Sequence, residues 1–347
     1  MKSNLTILLI LCGRQQYTKR FFHYMDMVQC PWKIIVADGG QEEISWLTQL
    51  DTLPNLEYEY HYFGPDKTLT EFHHKIATIV DYIGTPLTLC VDNDDFFFLS
   101  GVARDIEFLR THPTYVSSRG SVDKFIVSGG CYGEVTQKGK LYKRPSIIGD
   151  TATARIAEQS KLWHGAWHNV IRTKDLQCTA KITNVVNPSC FRFTEQIYGF
   201  LNSVSGNSNR DDYPYMLHQS NSPGIGAQYF GDKHEWVKSD HWIENFKKMI
   251  VAIGACISWN DSISIRDGQN SFCDSYLIKN PEMNNIIKPR LEEAAFFARE
   301  LNIKLFDDIE DTLNNINPKQ QDPITAQPPF ELTPEQELSF MRTACRG

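Results

Sequence analysis

The sequence predicts an α/β fold: a mostly parallel sheet with flanking helices, followed by a helical C-terminal extension. Three observations predict it. Short apolar runs alternate with amphipathic stretches between residues 5 and 109. Two of these runs stop abruptly in acid, at Asp38-Gly39-Gly40 and at Asp92-Asn93-Asp94-Asp95. Beyond residue 240 the apolar spacing is helical. A β-α-β-α-β-α-β order implies right-handed crossovers and parallel strands.

Leu5–Leu11 is an unbroken apolar run, as expected of a strand covered on both faces. Tyr17–Met27 carries Phe21, Phe22, Tyr24 and Met25 among polar residues and predicts a helix. Trp32–Ala37 predicts the second strand, Glu42–Gln49 a short helix, and the aromatic stretch Leu56–Phe63 a third strand. Leu69–Tyr82 places Leu69, Phe72, Ile76, Ile79 and Val80 at helical spacing. Leu87–Val91 is the fourth strand and Val102–Leu109 the next helix. The middle of the chain is Gly- and Thr-rich, and strand-like pieces are expected at Lys124–Ser128, Asn169–Arg172 and Lys181–Val186. A helix should start near Ser189 or Thr194 and stop by Gly206. Residues 207–235 predict loops, Trp242–Ile257 and Leu291–Leu301 helices, and 314–332 a Pro/Gln-rich linker. Thr333-Pro334-Glu335-Gln336 is a helix start, with an N-cap, Pro in the first turn and Gln at the capping-box position. The expected division is 1–225 for the α/β domain and 226–347 for a mainly helical region.

The 347 residues are 41% hydrophobic and 22% charged, which is ordinary for a globular chain that buries a large core. A net charge of −7 argues against a general nucleic-acid binder. The nine cysteines form no CxxC pair, which predicts reduced thiols in a cytoplasmic protein rather than a zinc site. Leu5–Cys12 is too short for a secretory signal, and no stretch reaches the ~20 apolar residues that span a bilayer.

Three carboxylates at Asp92, Asp94 and Asp95 repel one another unless a cation or hydrogen bonds compensate. At a strand C-terminus of an α/β sheet they sit where ligands bind. Hard oxygen donors suit Mg²⁺ or Mn²⁺, which take one or two carboxylates plus substrate phosphates. A metal–diphosphate site is the expectation, and a solvated strand-to-helix turn is the alternative. Asp38 ends a neighbouring strand and either accepts hydrogen bonds from a nucleotide or shapes the turn before Gly39-Gly40.

With these pieces in place, the chain resembles the family 2-like glycosyltransferases of GT-A fold found in bacterial surface-polysaccharide synthesis, over residues 4–225. Leu5–Arg14 looks like the opening strand and turn. Ile34–Gly40 looks like the strand end of the second motif, with one Asp instead of two. Val91–Asp95 looks like the DxD element. Phe193-Thr194-Glu195 and Gln219-Ser220-Asn221-Ser222-Pro223 match later segments of one subgroup. The usual Pro-Thr-Tyr-Asn after the first strand is here Leu11-Cys12-Gly13-Arg14.

The resemblance implies a Rossmann-like sheet, a nucleotide-sugar donor, a glycan or lipid-linked acceptor, and metal-dependent, inverting transfer. By the family pattern Asp92 faces the ribose and Asp94 binds the metal. Arg14 approaches the base or diphosphate, or is a surface arginine. Glu195 is either the base that deprotonates the acceptor or a first-turn residue favoured by the helix dipole. His218 is the leading candidate for a third metal ligand among His218, His234 and His241. Trp163, His164, Trp167 and His168 form a cluster in which Trp163 and Trp167 line an acceptor platform or pack in the core. Lys138–Arg144 is a basic run that meets a membrane surface or forms a solvated hairpin. The location implied is cytoplasmic, peripheral at the inner face of the membrane. Two competing readings are an Asp-dependent phosphatase or phosphotransferase and a catalytically inactive nucleotide-sugar-binding domain.

Overall fold

The structure is a computed structural model. It describes residues 3–48, 53–140, 145–162, 165–222, 240–278 and 303–347, with further positions between 285 and 295. Strands β1 (Leu5–Leu11), β2 (Lys33–Asp38), β3 (Tyr58–Tyr62) and β4 (Leu87–Val91) pair in parallel in the order β3-β2-β1-β4. Helices α1 (Gln15–Met27), α2 (Leu69–Ile79) and α3 (Leu99–Thr111) connect or follow them. Residues 45–48 form a single 3₁₀ turn where a short helix was expected.

The unbroken apolar runs are explained by packing on both faces. Leu5, Ile7, Leu9, Ile34, Val36, Leu87 and Leu89 face a core with α1 and α3. Leu8, Ile10, Ile35, Ala37 and Cys90 face a second core that contains Ile76 and Ile79 of α2. The alternation is the period of two of the strand, hidden because neither face needs polar residues.

Beyond β4 the sheet becomes mixed. It continues through β8 (Val170–Arg172), β6 (Tyr115–Gly129), β9 (Asn207–Gln219) and β5 (Phe96–Phe97), and β7 (Tyr132–Lys140) pairs with β6. β8 runs antiparallel to both β4 and β6, whereas β6 and β9 are parallel. The expected loop at 207–235 is corrected over its first part: 207–219 is β9, and 223–239 lies outside the described residues. Pro214 falls opposite Ser121 between two register shifts, an irregularity of the kind that accommodates proline within a sheet.

The expected strand at Lys181–Val186 is also corrected. It is the second half of α5 (Thr173–Val186), whose buried Leu176, Thr179, Ala180 and Thr183 recur at helical spacing. α4 (Ala152–Leu162) and α6 (Phe191–Ser205) precede and follow it. They pack with α7 (Asp240–Asp261), α8 (Ile265–Ile278) and α9 (Ile303–Ile316) around Phe200, Trp242, Phe246, Phe272 and Ile309. This is the helical extension. The expected helix at Leu291–Leu301 falls mostly outside the described residues.

The chain ends in α10 (Pro334–Ala344). Its capping box is formed as expected, with Thr333 and Gln336 exchanging side-chain and backbone bonds. Met341 and Ala344 return to the core of α1 and α3. No helix among the described residues is long and apolar enough to cross a membrane.

Candidate active site

Because β2, β1 and β4 are parallel, Asp38 and the Asp92–Asp95 segment leave the sheet at the same edge. Asp38 is fully buried. One carboxylate oxygen accepts from the backbone N–H of Gly40 at 2.8 Å and the other from the Tyr60 hydroxyl at 2.7 Å. The turn it holds is tight: a Cβ on Gly39 would lie 2.1 Å from the Asp66 carboxylate. Asp66 is paired with Lys75, which is buried on α2 and also donates to the Leu11 carbonyl at 2.8 Å. Asp66, Tyr60 and Lys75 give no sequence signal of this role, because they converge from separate elements.

The turn after β1 is tied to the turn after β4. Gly13 and Arg14 both have left-handed backbone, with φ of 84° and 60°. For arginine this is an uncommon conformation, and such strain concentrates at functional sites. The side-chain amide of Asn93 reaches Thr18 Oγ1 at 3.0 Å and the carbonyls of Gly13 and Arg14. Arg14 then makes a two-pronged ion pair with Asp94, at 2.9 and 3.2 Å. Burial opposes the charge of Arg14, but Asp94 and Asp92 raise its pKa above the ordinary value. Asp94 also accepts from the Ser222 hydroxyl. Arg20 lies beneath, between the rings of Tyr17 and Phe96, and donates to the Asp94 carbonyl at 2.8 Å.

The other two carboxylates face histidines. Asp92 Oδ2 is 3.1 Å from His168 Nε2. Burial works against its ionisation, but the His168 hydrogen bond, the charge of that ring and Arg14 hold its pKa below the usual carboxylate value. Asp95 is buried, accepts from the Gln219 N–H at 2.9 Å, and lies 3.1 Å from His218 Nδ1. Burial and the charge of Asp94 push the Asp95 carboxyl up, while the hydrogen bond to Asp95 raises His218.

One ligand atom each from Asp92, Asp95 and His168 lie within 4.8 Å of one another. Two carboxylates and an imidazole in that space fit a divalent cation such as Mn²⁺. The expected pair, Asp94 with His218, is arranged differently: Asp94 is turned to Arg14 and Ser222, and His218 backs Asp95. His168 was visible in the sequence as part of an aromatic–histidine cluster. Its pairing with Asp92 depends on the antiparallel β8, which brings it back to the end of β4.

Glu195 sits one turn inside α6, past the first turn, where a capping role would have placed it earlier. It is exposed to solvent yet ringed by protein; burial first, then the charge of Asp92, push its pKa up to about 7. His73 of α2 holds the adjacent Thr194 hydroxyl at 2.9 Å. Trp167 is half-buried, stacked on Phe72 with centroids 6.3 Å apart, edge-on to Tyr198, and bonded to Asp92. Trp163 and His234 lie outside the described residues, as does part of the basic run Lys138–Arg144.

No family model matches the chain, and no curated protein matches it either. Among solved structures it is similar to S. aureus TarS residues 1–349 in complex with UDP-GlcNAc, at 10% identity and a TM-score of 0.48, covering 92% of this chain and 93% of that one. The same fragment in complex with UDP gives 10% identity and a TM-score of 0.44, over 79% and 89%. At this distance the reading of the site rests on its own geometry.

Proposed function

We propose that this chain is a metal-dependent, inverting glycosyltransferase of GT-A type. It moves a sugar from a nucleotide-sugar donor to a hydroxyl of a glycan or lipid-linked acceptor, in surface-polysaccharide synthesis. The observation that carries the reading is one sheet edge that gathers Asp92, Asp95 and His168 beside a carboxylate, Glu195, whose pKa lies near 7. Burial raises the carboxyls of Asp105, Asp175 and Glu337 to a similar value elsewhere in the fold, so what suits Glu195 to take a proton from a hydroxyl is its place against Asp92 at the acidic edge together with its raised pKa.

Asp92, Asp95 and His168 are the residues that would hold Mn²⁺ or Mg²⁺, and the imidazole favours Mn²⁺. The cation supplies neutralisation of the diphosphate leaving group. Arg14 supplies a second, permanent positive charge at the same edge, kept in place by Asp94. Asp38 fixes the tight Gly39-Gly40 turn at the edge where the nucleoside would bind. Trp167, half-buried against Phe72 and bonded to Asp92, is the aromatic ring that would meet the acceptor sugar.

Glu195 takes the proton from the acceptor hydroxyl. The acceptor oxygen forms its bond to the anomeric carbon as the bond to the diphosphate oxygen breaks, and the nucleoside diphosphate leaves with that electron pair. The site of action, the cytoplasm with peripheral contact at the inner face of the membrane, belongs to the same proposal.

Thermal unfolding with UDP, GDP and their sugars, with and without Mn²⁺, tests this. A ligand at about 100 times its Kd adds about 2.7 kcal/mol. The expected result is stabilisation by one nucleotide series that requires the metal. Phosphate release from a simple phosphate ester, with no nucleotide effect, would instead establish the phosphotransferase reading.

A further inference from the structure

A cavity of about 200 Å³ lies away from the acidic edge. β8 runs antiparallel to β4, so the Arg172 end of β8 sits beside Leu87, at the opposite edge of the sheet from Asp92. Arg172 lines the cavity and is only 4% exposed. Its Nε donates to the Tyr115 carbonyl at 2.8 Å, and its Nη2 to the carbonyls of Leu109 at 2.9 Å and His112 at 3.4 Å. Its Nη1 has no protein partner among the described residues. Nη1 is not among the fully buried atoms left without a partner, so it keeps access to the cavity that Arg172 lines and is the donor there for an incoming acceptor.

The surroundings complete a site. Lys319 stands at the wall, over the Trp259 ring at 4.2 Å. Asp175 is 1% exposed, accepts from Gln321 Nε2 at 2.9 Å, and has its carboxyl pushed up to about 7 by burial. Near neutral pH it therefore offers a proton as readily as a charge. The remaining wall includes Ile182, Leu201 and Val204, which are apolar.

We propose that this cavity binds a small organic anion, with its charged group on Arg172 Nη1 and its apolar body against Ile182, Leu201 and Val204. Two elements connect it to the acidic edge. α6 carries Leu201 and Val204 at one end and Glu195 at the other, and β8 leads from Arg172 back toward His168. Occupancy is thus placed to bias the position of both groups. The binding claim itself does not depend on the reaction catalysed at that edge.

The test uses the full chain and calorimetric titration with benzoate, hexanoate, phenyl phosphate, inorganic phosphate and neutral benzamide. Apolar-bodied anions should bind at least ~10-fold more tightly than benzamide or inorganic phosphate; carboxylate against phosphate ester then identifies the head group. Arg172→Ala removes three carbonyl contacts as well and endangers the fold. Val204→Trp is therefore the second variant: it fills the cavity and should abolish binding while circular dichroism stays native. Equal binding of benzamide, binding that survives in a folded Val204→Trp protein, or no binding by any probe would each overturn the proposal.

Discussion

Asp94 and Asp95 are neighbours in sequence but face opposite partners. Asp94 is neutralised by Arg14, whereas Asp92, Asp95 and His168 bring ligand atoms within 4.8 Å of one another and His218 backs Asp95. Titration of Mn²⁺ into variants separates them. Asp92→Ala and Asp95→Asn should lower affinity by more than the ~10–100-fold typical of outer partners, and Asp94→Asn should stay within that range. The reverse order would return the metal to Asp94 and His218, the pair that the sequence suggested. Glu195→Gln should preserve donor affinity while transfer falls by roughly 10²–10⁴-fold. In the parent protein the transfer rate should rise as pH climbs through about 7, because the carboxylate is the active form. A flat profile across that range would remove Glu195 from the chemistry. At this scale, Asp38 and the Asp92–Asp95 cluster were legible because acid at the end of an apolar strand is conspicuous, but the sequence assigned the metal to Asp94 and did not separate it from Asp95. Asn93, Arg20, Lys75 and the pairing of His168 with Asp92 were not, since each role comes from a contact more than fifty residues away in sequence.

Helix α10 shows what an element far along the chain does for the site. Glu337 is fully buried and accepts from the N–H groups of Leu99 and Ser100 and from the Ser100 hydroxyl. It therefore caps the N-terminus of α3, the helix that follows the acidic segment. An α-helix begins with four orphan N–H groups, and an anion there also meets the positive end of the dipole. Glu337→Ala leaves these donors buried without acceptors. Chemical denaturation should show a loss of about 1–3 kcal/mol, with α3 losing hydrogen-exchange protection first. Unchanged stability would make the contact incidental. The helix itself was legible from Thr333-Pro334-Glu335-Gln336, because capping is local chemistry. Its destination was not. α5 failed in the opposite way: Ile182, Val185 and Val186 read as a short β-type run, and only the packing of Leu176, Thr179, Ala180 and Thr183 onto α2 and the sheet fixes the helical period. β9 was missed because Asp211, Asp212 and Pro214 look like a loop, yet its pairing with β6 tolerates them at a register shift.

For the whole molecule, the buried acids set how stability depends on pH. Asp105, Asp175 and Glu337 are essentially inaccessible, and burial pushes each carboxyl up to about 7. Their unfolded values are the ordinary 3.8 or 4.5. Between about pH 4.5 and 7 the native state therefore binds more protons than the unfolded chain. Stability is fully present below the unfolded values and is lost as pH rises through 7. His218, raised by Asp95, acts in the same direction. His73 opposes them: burial lowers it to about 4, so its contribution is present above 6.5 and lost as pH falls toward 4. Three carboxyls outweigh one imidazole. The urea midpoint should accordingly fall from pH 5 to pH 7. Asp105→Asn should flatten the slope, since the amide cannot titrate and can still accept from Ser118 and Tyr213. A midpoint that rises over this range would mean that the hydrogen bonds to these carboxylates, rather than their burial, govern their ionisation.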